Sequence, residues 1–263
     1  MKSVLDFQKM KEQGQPITMV TCYDFSFAKI IEETDIDCVL VGDSSAMVMH
    51  GHDNTTAATV AMITAHTQAV TRGLRNKFII ADLPFLSYRQ SRSETCTVVA
   101  EMLRAGAQAI KLEGATGNLA IIRHLVQSGV PVMGHLGLTP QFIHALGGHK
   151  VQGRDEKTAE NLLQQAQALE RAGAFALVLE CIPQLLAKRI SESLSIPTIG
   201  IGAGPHTDGQ VLVLQDLLGL QCNTKPKFLK TYLNGFSLVQ NALNDYVKDV
   251  KNRQYPEIET HSY

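Results

Sequence analysis

The sequence predicts an α/β protein with a (β/α)8 TIM barrel, a short N-terminal helix and a C-terminal helical extension. The chain has 263 residues, and such barrels typically need about 250. Short apolar runs rich in β-branched residues alternate with helical patterns, which is typical of parallel βαβ units. Several of these runs end in a carboxylate, and the carboxyl ends of barrel strands carry the active site.

Seven apolar runs are strand candidates. They are ITMVTCYD, CVLVGD, KFIIADLP, AIKLEG, VPVMGHLG, FALVLEC and IPTIGIGAG. An eighth strand is expected at Gly219–Cys222, after a helix over 208–218. No Gly-x-Gly-x-x-Gly motif follows the first strand, which disfavours a dinucleotide-binding sheet.

Helical patterns lie between the predicted strands. They cover Phe25–Glu33, Val60–Arg72, Glu94–Arg104, Leu119–Gln127, Ala159–Arg171 and Leu185–Ser193. A further helix is expected from Ser3 to about Glu12. We expect a single domain over 1–263, with the barrel at about 17–227 and an amphipathic helix and loose tail at about 228–263.

One predicted connection is long. After GHLGL the chain runs LTPQFIHALGGHKVQGRDEKT before the next helical pattern, whereas connections in compact domains typically have about 2–6 residues. The segment could be a disordered insertion, but a loop that covers the substrate is the favoured interpretation.

Composition narrows the class of protein. With 24 basic and 25 acidic residues and a net charge of −1, the chain has no basic stripe for nucleic acid. Its five cysteines are an odd number without a CxxC pair, which favours buried thiols in a reducing compartment. Neither a signal-peptide core nor an apolar run long enough to cross a bilayer is evident. We therefore expect a soluble, cytoplasmic protein that binds neither membrane nor nucleic acid.

Acidic residues end or directly follow four of the predicted strands. They are Asp43, Asp82, Glu113 and Glu180. In a barrel these carboxylates would meet at one mouth, where they repel each other unless a cation lies among them. Oxygen ligands suit Mg²⁺ or a similar hard ion. The pattern therefore predicts an enzyme that depends on a divalent metal.

Other interpretations of these charged residues are open. Asp43 and Asp82 could each be the N-cap of a helix. Lys111 shares a strand face with Glu113 because strand side chains alternate. It could neutralise Glu113 or bind an oxyanion of the substrate.

Histidine and glycine residues add weaker signals. His135 lies at the end of the fifth strand and could contact a ligand. His52 and Asp53 could stabilise their loop or meet the site from its rim. The IGIGAG run could form an anion cradle, and no HExxH motif or Cys/His spacing indicates zinc.

Seven motifs occur in an order that resembles a known family. They are LVGDS, ADLPF, KLEG, GHLGLTPQ, KVQGR, LVLEC and IPTIGIGAG. From about Ile17 to about Lys227 the chain is similar to ketopantoate hydroxymethyltransferase (3-methyl-2-oxobutanoate hydroxymethyltransferase). The resemblance implies a (β/α)8 barrel that transfers a hydroxymethyl group from 5,10-methylenetetrahydrofolate to 3-methyl-2-oxobutanoate (α-ketoisovalerate). The product would be 2-dehydropantoate, in pantothenate and coenzyme A biosynthesis. It also implies Mg²⁺ and a homo-oligomer, expected to be a decamer.

The same resemblance implies roles for individual residues. Asp43 and Asp82 would hold the metal ion, and Glu113 would join its shell through water. The residues implied to bind the oxo acid are Asp43, Ser44, Asp82, Lys111 and His135. Glu180 would be the catalytic base that accepts a proton from the substrate.

Three other functions are also compatible with these residues. The first is another Mg²⁺-dependent enolate enzyme, such as a relative of phosphoenolpyruvate mutase or isocitrate lyase. The second is an aldolase that forms a Schiff base at Lys111, which the nearby acids disfavour because they keep the amine protonated. The third is a barrel without activity that serves as a binding or scaffold protein.

Overall fold

The computed structural model describes residues 1–221 and 226–263 and contains a closed parallel barrel. The strands follow one another around the barrel in chain order, and the last pairs with the first. They are β1 (Ile17–Thr21), β2 (Cys38–Val41), β3 (Phe78–Asp82), β4 (Ala109–Lys111), β5 (Val132–Gly137), β6 (Ala176–Glu180), β7 (Thr198–Ile201) and β8 (Gly209–Leu212).

Helices precede, follow and separate these strands. They are α1 (Val4–Glu12), α2 (Phe25–Glu32), α3 (Ser45–Val48), α4 (Val60–Gly73), α5 (Arg92–Arg104), α6 (Leu119–Gln127), α7 (Ile143–Leu146), α8 (Glu156–Arg171), α9 (Gln184–Ser193), α10 (Leu214–Leu217), α11 (Gly235–Lys251) and α12 (Ile258–His261). Two 3-10 helices, Thr55–Ala57 and Pro140–Phe142, lie in the loops after β2 and β5.

The amino ends of the strands pack against α1. Phe7 and Met10 of this helix belong to the same buried cluster as Ile17 of β1 and Phe78 of β3. The rings of Phe7 and Phe78 meet edge to face with centroids 5.3 Å apart, a favoured aromatic geometry. Apolar side chains fill this end of the barrel. The polar residues of the interior therefore lie at the carboxyl ends of the strands.

Most of the predicted elements are confirmed, and the eighth strand is the main error. It lies at Gly209–Leu212, inside the stretch 208–218 that we expected to be helical, and only Leu214–Leu217 is a helix. Residues 219–221 are not a strand, and Cys222 lies outside the described residues. The apolar spacing of VLVLQDLL matched a helix, but pairing with β1 and β7 outweighs that local preference.

The chain divides into two compact units, Met1–Val213 and Leu214–Tyr263. The prediction of one domain over 1–263 is not decided by this division and stays a prediction. The second unit contains α11, which begins at Gly235 rather than near Phe228, and the predicted loose tail contains α12. Within the described ranges, every helix is too short or too polar to span a bilayer.

Candidate active site

Charged residues from neighbouring strands converge at the carboxyl end of the barrel. Asp82 is the last residue of β3 and Lys111 the last residue of β4, and the two are paired in register. Glu180 ends β6. Asp43 and Glu113 each follow their strand by two residues. The predicted gathering of acids at one mouth is therefore what the structure shows.

Asp82 connects the first group of charges. Its Oδ2 accepts a hydrogen bond of 3.0 Å from the backbone N–H of Asp43, and its Oδ1 is 2.5 Å from Nζ of Lys111. All three residues are at most 5% exposed. Asp82 is thus held by a donor and a cation, and the interpretation of Asp82 as a helix N-cap is wrong.

Asp43 is not a helix N-cap either. The residue before α3 is Ser44, and the Asp43 carboxylate instead accepts a hydrogen bond of 2.8 Å from Nε2 of Gln141. The Ser44 hydroxyl is 2.7 Å from the hydroxyl of Tyr23. Tyr23 follows β1 and is buried, so the sequence rule that singled out the acids at strand ends could also have found it.

His135 connects the second group of charges. Its Nδ1 is 3.3 Å from Oε1 of Glu113, and its Nε2 is 3.2 Å from Oε2 of Glu180. Neither contact has the alignment of a hydrogen bond, so both are best described as ion pairs. Glu113 therefore pairs with His135, whereas Lys111 pairs with Asp82. The alternative in which Lys111 mainly neutralises Glu113 is not what the contacts show.

Burial and like charges set the protonation of this cluster. Burial, and then the charges of Asp82 and Glu113, raise the pKa of Asp43 well above its ordinary value. Burial alone would lower the pKa of Lys111, but Asp82, Asp43 and Glu113 together raise it. Lys111 is accordingly a fixed ammonium ion.

The surroundings of His135 also favour the protonated form of its ring. Burial would lower its pKa, but the carboxylates of Glu113 and Glu180 outweigh that effect and raise it to about 9. At neutral pH the ring is an imidazolium. If all four carboxylates are ionised, Lys111 and His135 balance two of them, so a divalent cation would neutralise the rest.

The oxygen ligands of the cluster fit such a cation. Within the described part of the chain, no three His, Cys, Asp or Glu side chains converge as a metal site. Mg²⁺ is commonly held by one or two carboxylates, with waters and substrate oxygens completing its shell. Asp43 and Asp82 are buried oxygen ligands, and burial followed by the charge of Asp82 raises the pKa of Asp43. Glu113, held by His135, could reach an ion there through water.

Two further residues of the site were not found from the sequence. Gln141, in the 3-10 helix after β5, contacts Asp43 through its side chain and Glu113 through its backbone N–H. Tyr88 donates its hydroxyl proton to Oε1 of Gln141 over 2.7 Å. Gln141 does lie in the GHLGLTPQ motif, which begins in β5 and extends into the 3-10 helix Pro140–Phe142. An uncharged amide in a loop gave no chemical signal.

Other sequence candidates lie outside this cluster or stay predictions. His52 and Asp53 are exposed residues of the loop before Thr55–Ala57. The anion cradle at IGIGAG stays a prediction, as does the substrate-covering role of the segment after β5. That segment contains Pro140–Phe142 and α7.

Gly137 allows the ends of β5 and β6 to approach closely. Its φ is +94°, and a Cβ at this position would lie 2.1 Å from the carbonyl oxygen of Glu180. That carbonyl accepts a hydrogen bond of 2.8 Å from the N–H of Leu138. A side chain at residue 137 would therefore displace the backbone that carries Glu180.

The barrel and its buried acids define a class of protein, a (β/α)8-barrel enzyme with its active site at the carboxyl ends of the strands. Residues 1–258 match the family model described as Ketopantoate hydroxymethyltransferase. The chain belongs to this family.

Curated relatives agree along nearly the whole chain. A 3-methyl-2-oxobutanoate hydroxymethyltransferase from Bdellovibrio bacteriovorus is 57% identical over 256 residues, which are 97% of each protein. One of the same name from Coxiella burnetii is 56% identical over 259 residues, covering 98% of this chain and 97% of the relative.

Solved structures share the fold at low sequence identity. A phosphonopyruvate hydrolase in complex with oxalate and Mg²⁺ has a TM-score of 0.63 and 12% identity, covering 98% of this chain and 93% of that one. A phosphoenolpyruvate phosphomutase from Streptomyces platensis has a TM-score of 0.63 and 11% identity, covering 100% and 92%. At such identities the likeness shows the fold alone.

A substitution at Gly137 tests how the backbone positions Glu180. Gly137→Ala is expected to lower stability by roughly 1–3 kcal/mol more than Gly129→Ala, and also to lower activity. Gly129 is a matched control because its φ is +88° and a Cβ there meets nothing within 4 Å. Urea unfolding and an activity assay measure both effects. Equal losses in the two variants would contradict the close approach.

Proposed function

We propose that this protein transfers a hydroxymethyl group from 5,10-methylenetetrahydrofolate to 3-methyl-2-oxobutanoate and forms 2-dehydropantoate. The reaction would serve pantothenate and coenzyme A biosynthesis. The family match and the names of the relatives support the substrate. The observation that carries the mechanism is a buried acid cluster in which one carboxylate, that of Glu180, is more exposed than those of Asp82 and Glu113.

Glu180 has the properties required of the catalytic base. Its side chain is 18% exposed, whereas those of Asp82 and Glu113 are at most 2% exposed. It ends a different strand from Asp82, and it forms an ion pair with His135. It can therefore take a proton from C3 of the oxo acid, while the electron pair moves onto the keto oxygen.

A divalent cation would be held by Asp43, Asp82 and, through water, Glu113. These oxygen ligands favour Mg²⁺. When bound, the cation would supply positive charge to the carboxylate and keto oxygens of the substrate. Lys111 and the hydroxyl of Ser44 can donate hydrogen bonds to the same oxygens. The imidazolium of His135 would hold Glu180 towards the substrate. In the proposed sequence C3 of the enolate attacks the methylene carbon of the folate while one of its two C–N bonds breaks. Water then displaces the second folate nitrogen, which leaves with a proton, and the hydroxymethyl product is released.

The rival functions have less support. An aldolase needs a neutral amine at Lys111, but three carboxylates raise the pKa of that side chain. A putative phosphonomutase and a phosphoenolpyruvate phosphomutase share the fold at only 14% and 11% identity, whereas members of the matched family reach 57%. A scaffold without activity would have no need for six buried or half-buried charged groups, five of them in ion pairs, since such groups cost stability.

Proton exchange at C3 tests the role of Glu180 without the folate. Wild-type protein with Mg²⁺ should exchange the C3 proton of 3-methyl-2-oxobutanoate for deuterium in D₂O, followed by NMR. Glu180→Gln is expected to slow this exchange by about 10²–10⁴-fold, because the amide cannot accept the proton. Glu192→Gln, on the exposed face of α9, should exchange at the wild-type rate. Wild-type exchange in Glu180→Gln would contradict the assignment.

We also infer a homo-oligomer, expected to be a decamer. An apolar stripe along α11 supports the association of several chains, because its apolar side chains, mostly spaced by three or four residues, are 43–61% exposed. They are Phe236, Val239, Leu243, Tyr246, Val247 and Val250.

Sedimentation velocity tests this assembly. The wild-type protein should sediment as a species much larger than its 28.7 kDa chain. Leu243→Asp is expected to shift it towards monomer, because it places a charge in the apolar stripe. Asn241→Asp adds the same charge on the opposite side of α11 and should leave the assembly intact. A wild-type monomer at every concentration would contradict the inference.

A further inference from the structure

Gln141 donates hydrogen bonds to two residues of the acid cluster and to the backbone beside it. Its side-chain Nε2 donates to Oδ2 of Asp43 over 2.8 Å and to the carbonyl oxygen of Leu83 over 2.9 Å. Its backbone N–H donates to Oε2 of Glu113 over 3.0 Å. The residue is 2% exposed. One residue from the loop after β5 thus connects the chain segments that follow β2, β3 and β4.

The direction of the Gln141 amide is fixed by its partners. A carbonyl oxygen can only accept, so the NH₂ group must face Leu83, and the same group then faces Asp43. The hydroxyl of Tyr88 then donates to Oε1 over 2.7 Å. A flipped amide would place its oxygen against two other oxygens in a buried site, which is costly. Leu83 and Asp43 therefore select the orientation of Gln141, and the hydrogen bond from Tyr88 reinforces it.

The charge of the partner distinguishes Asp43 from Asp82. Asp82 is compensated by the ammonium group of Lys111. Gln141 holds Asp43 by a neutral donor, which fixes the carboxylate without cancelling its negative charge. With Oδ2 engaged by the amide, Oδ1 is the oxygen that can be directed at a cation. A neutral donor at this position therefore suits a carboxylate that must bind a metal ion.

We propose that Gln141 is a positioning residue of the cation site and that Tyr88 holds its amide in the working direction. The proposal rests on the proposed function, in which Asp43 and Asp82 bind a divalent cation. Because Gln141 belongs to the loop after β5, that loop must be in place for both Asp43 and Glu113 to keep their donors. Groups that orient metal ligands typically contribute about 10–100-fold to metal affinity.

Binding of Mn²⁺, measured by the EPR signal of the free ion, tests the proposal separately from turnover. Gln141→Met keeps the side-chain length and removes the amide, and it is expected to weaken Mn²⁺ binding by about tenfold or more. Tyr88→Phe keeps the ring and removes the hydroxyl, and it should weaken binding in the same direction by a smaller factor. Gln164→Met, at an exposed position of α8, is the matched control and should bind as the wild type does.

The outcomes separate this proposal from the one on which it rests. Wild-type affinity in both Gln141→Met and Tyr88→Phe would overturn the positioning role while leaving the metal site itself intact. Absence of Mn²⁺ binding by the wild-type protein would overturn the metal-dependent mechanism, and the positioning role with it. If Gln141→Met does not fold, as judged by circular dichroism, Tyr88→Phe decides the matter, since it removes a single hydroxyl group.

Discussion

Repulsion among buried carboxylates is the constraint on which the rest of this structure depends. Asp43, Asp82 and Glu113 are nearly inaccessible to solvent, and like charges in such surroundings raise the pKa of one another unless cations offset them. Lys111 and His135 provide two positive charges. The cluster remains short of positive charge, which makes it suited to bind a divalent ion together with an anionic substrate.

The parallel barrel is what forces these charges together. Its register places Asp82 beside Lys111, and Gly137 beside Glu180. Apolar side chains fill the opposite end, where Phe7 of α1 packs against the first residue of β3. The fold therefore separates an apolar end that provides stability from a polar end that provides chemistry. Solved structures with the same fold and 11–14% identity show that the barrel alone does not determine the reaction.

Sequence reasoning located the acids because a carboxylate at the end of an apolar run conflicts with packing and therefore stands out. It misplaced β8 because Gly209–Leu212 is short and contains a glycine and a glutamine, and because partners far along the chain define it. It did not find Gln141, since a neutral amide in a loop has neither charge nor periodicity. It also could not decide that Lys111 pairs with Asp82, because that choice depends on the register between strands.

The position of a bound metal ion tests the central claim most directly. Crystals containing Mn²⁺ and 3-methyl-2-oxobutanoate should give an anomalous difference peak within coordination distance of both Asp43 and Asp82. The carboxylate and keto oxygens of the oxo acid should face the same peak. A peak at another place, or density for the oxo acid with no ion beside these two carboxylates, would contradict the claim that the acid cluster exists to bind a cation.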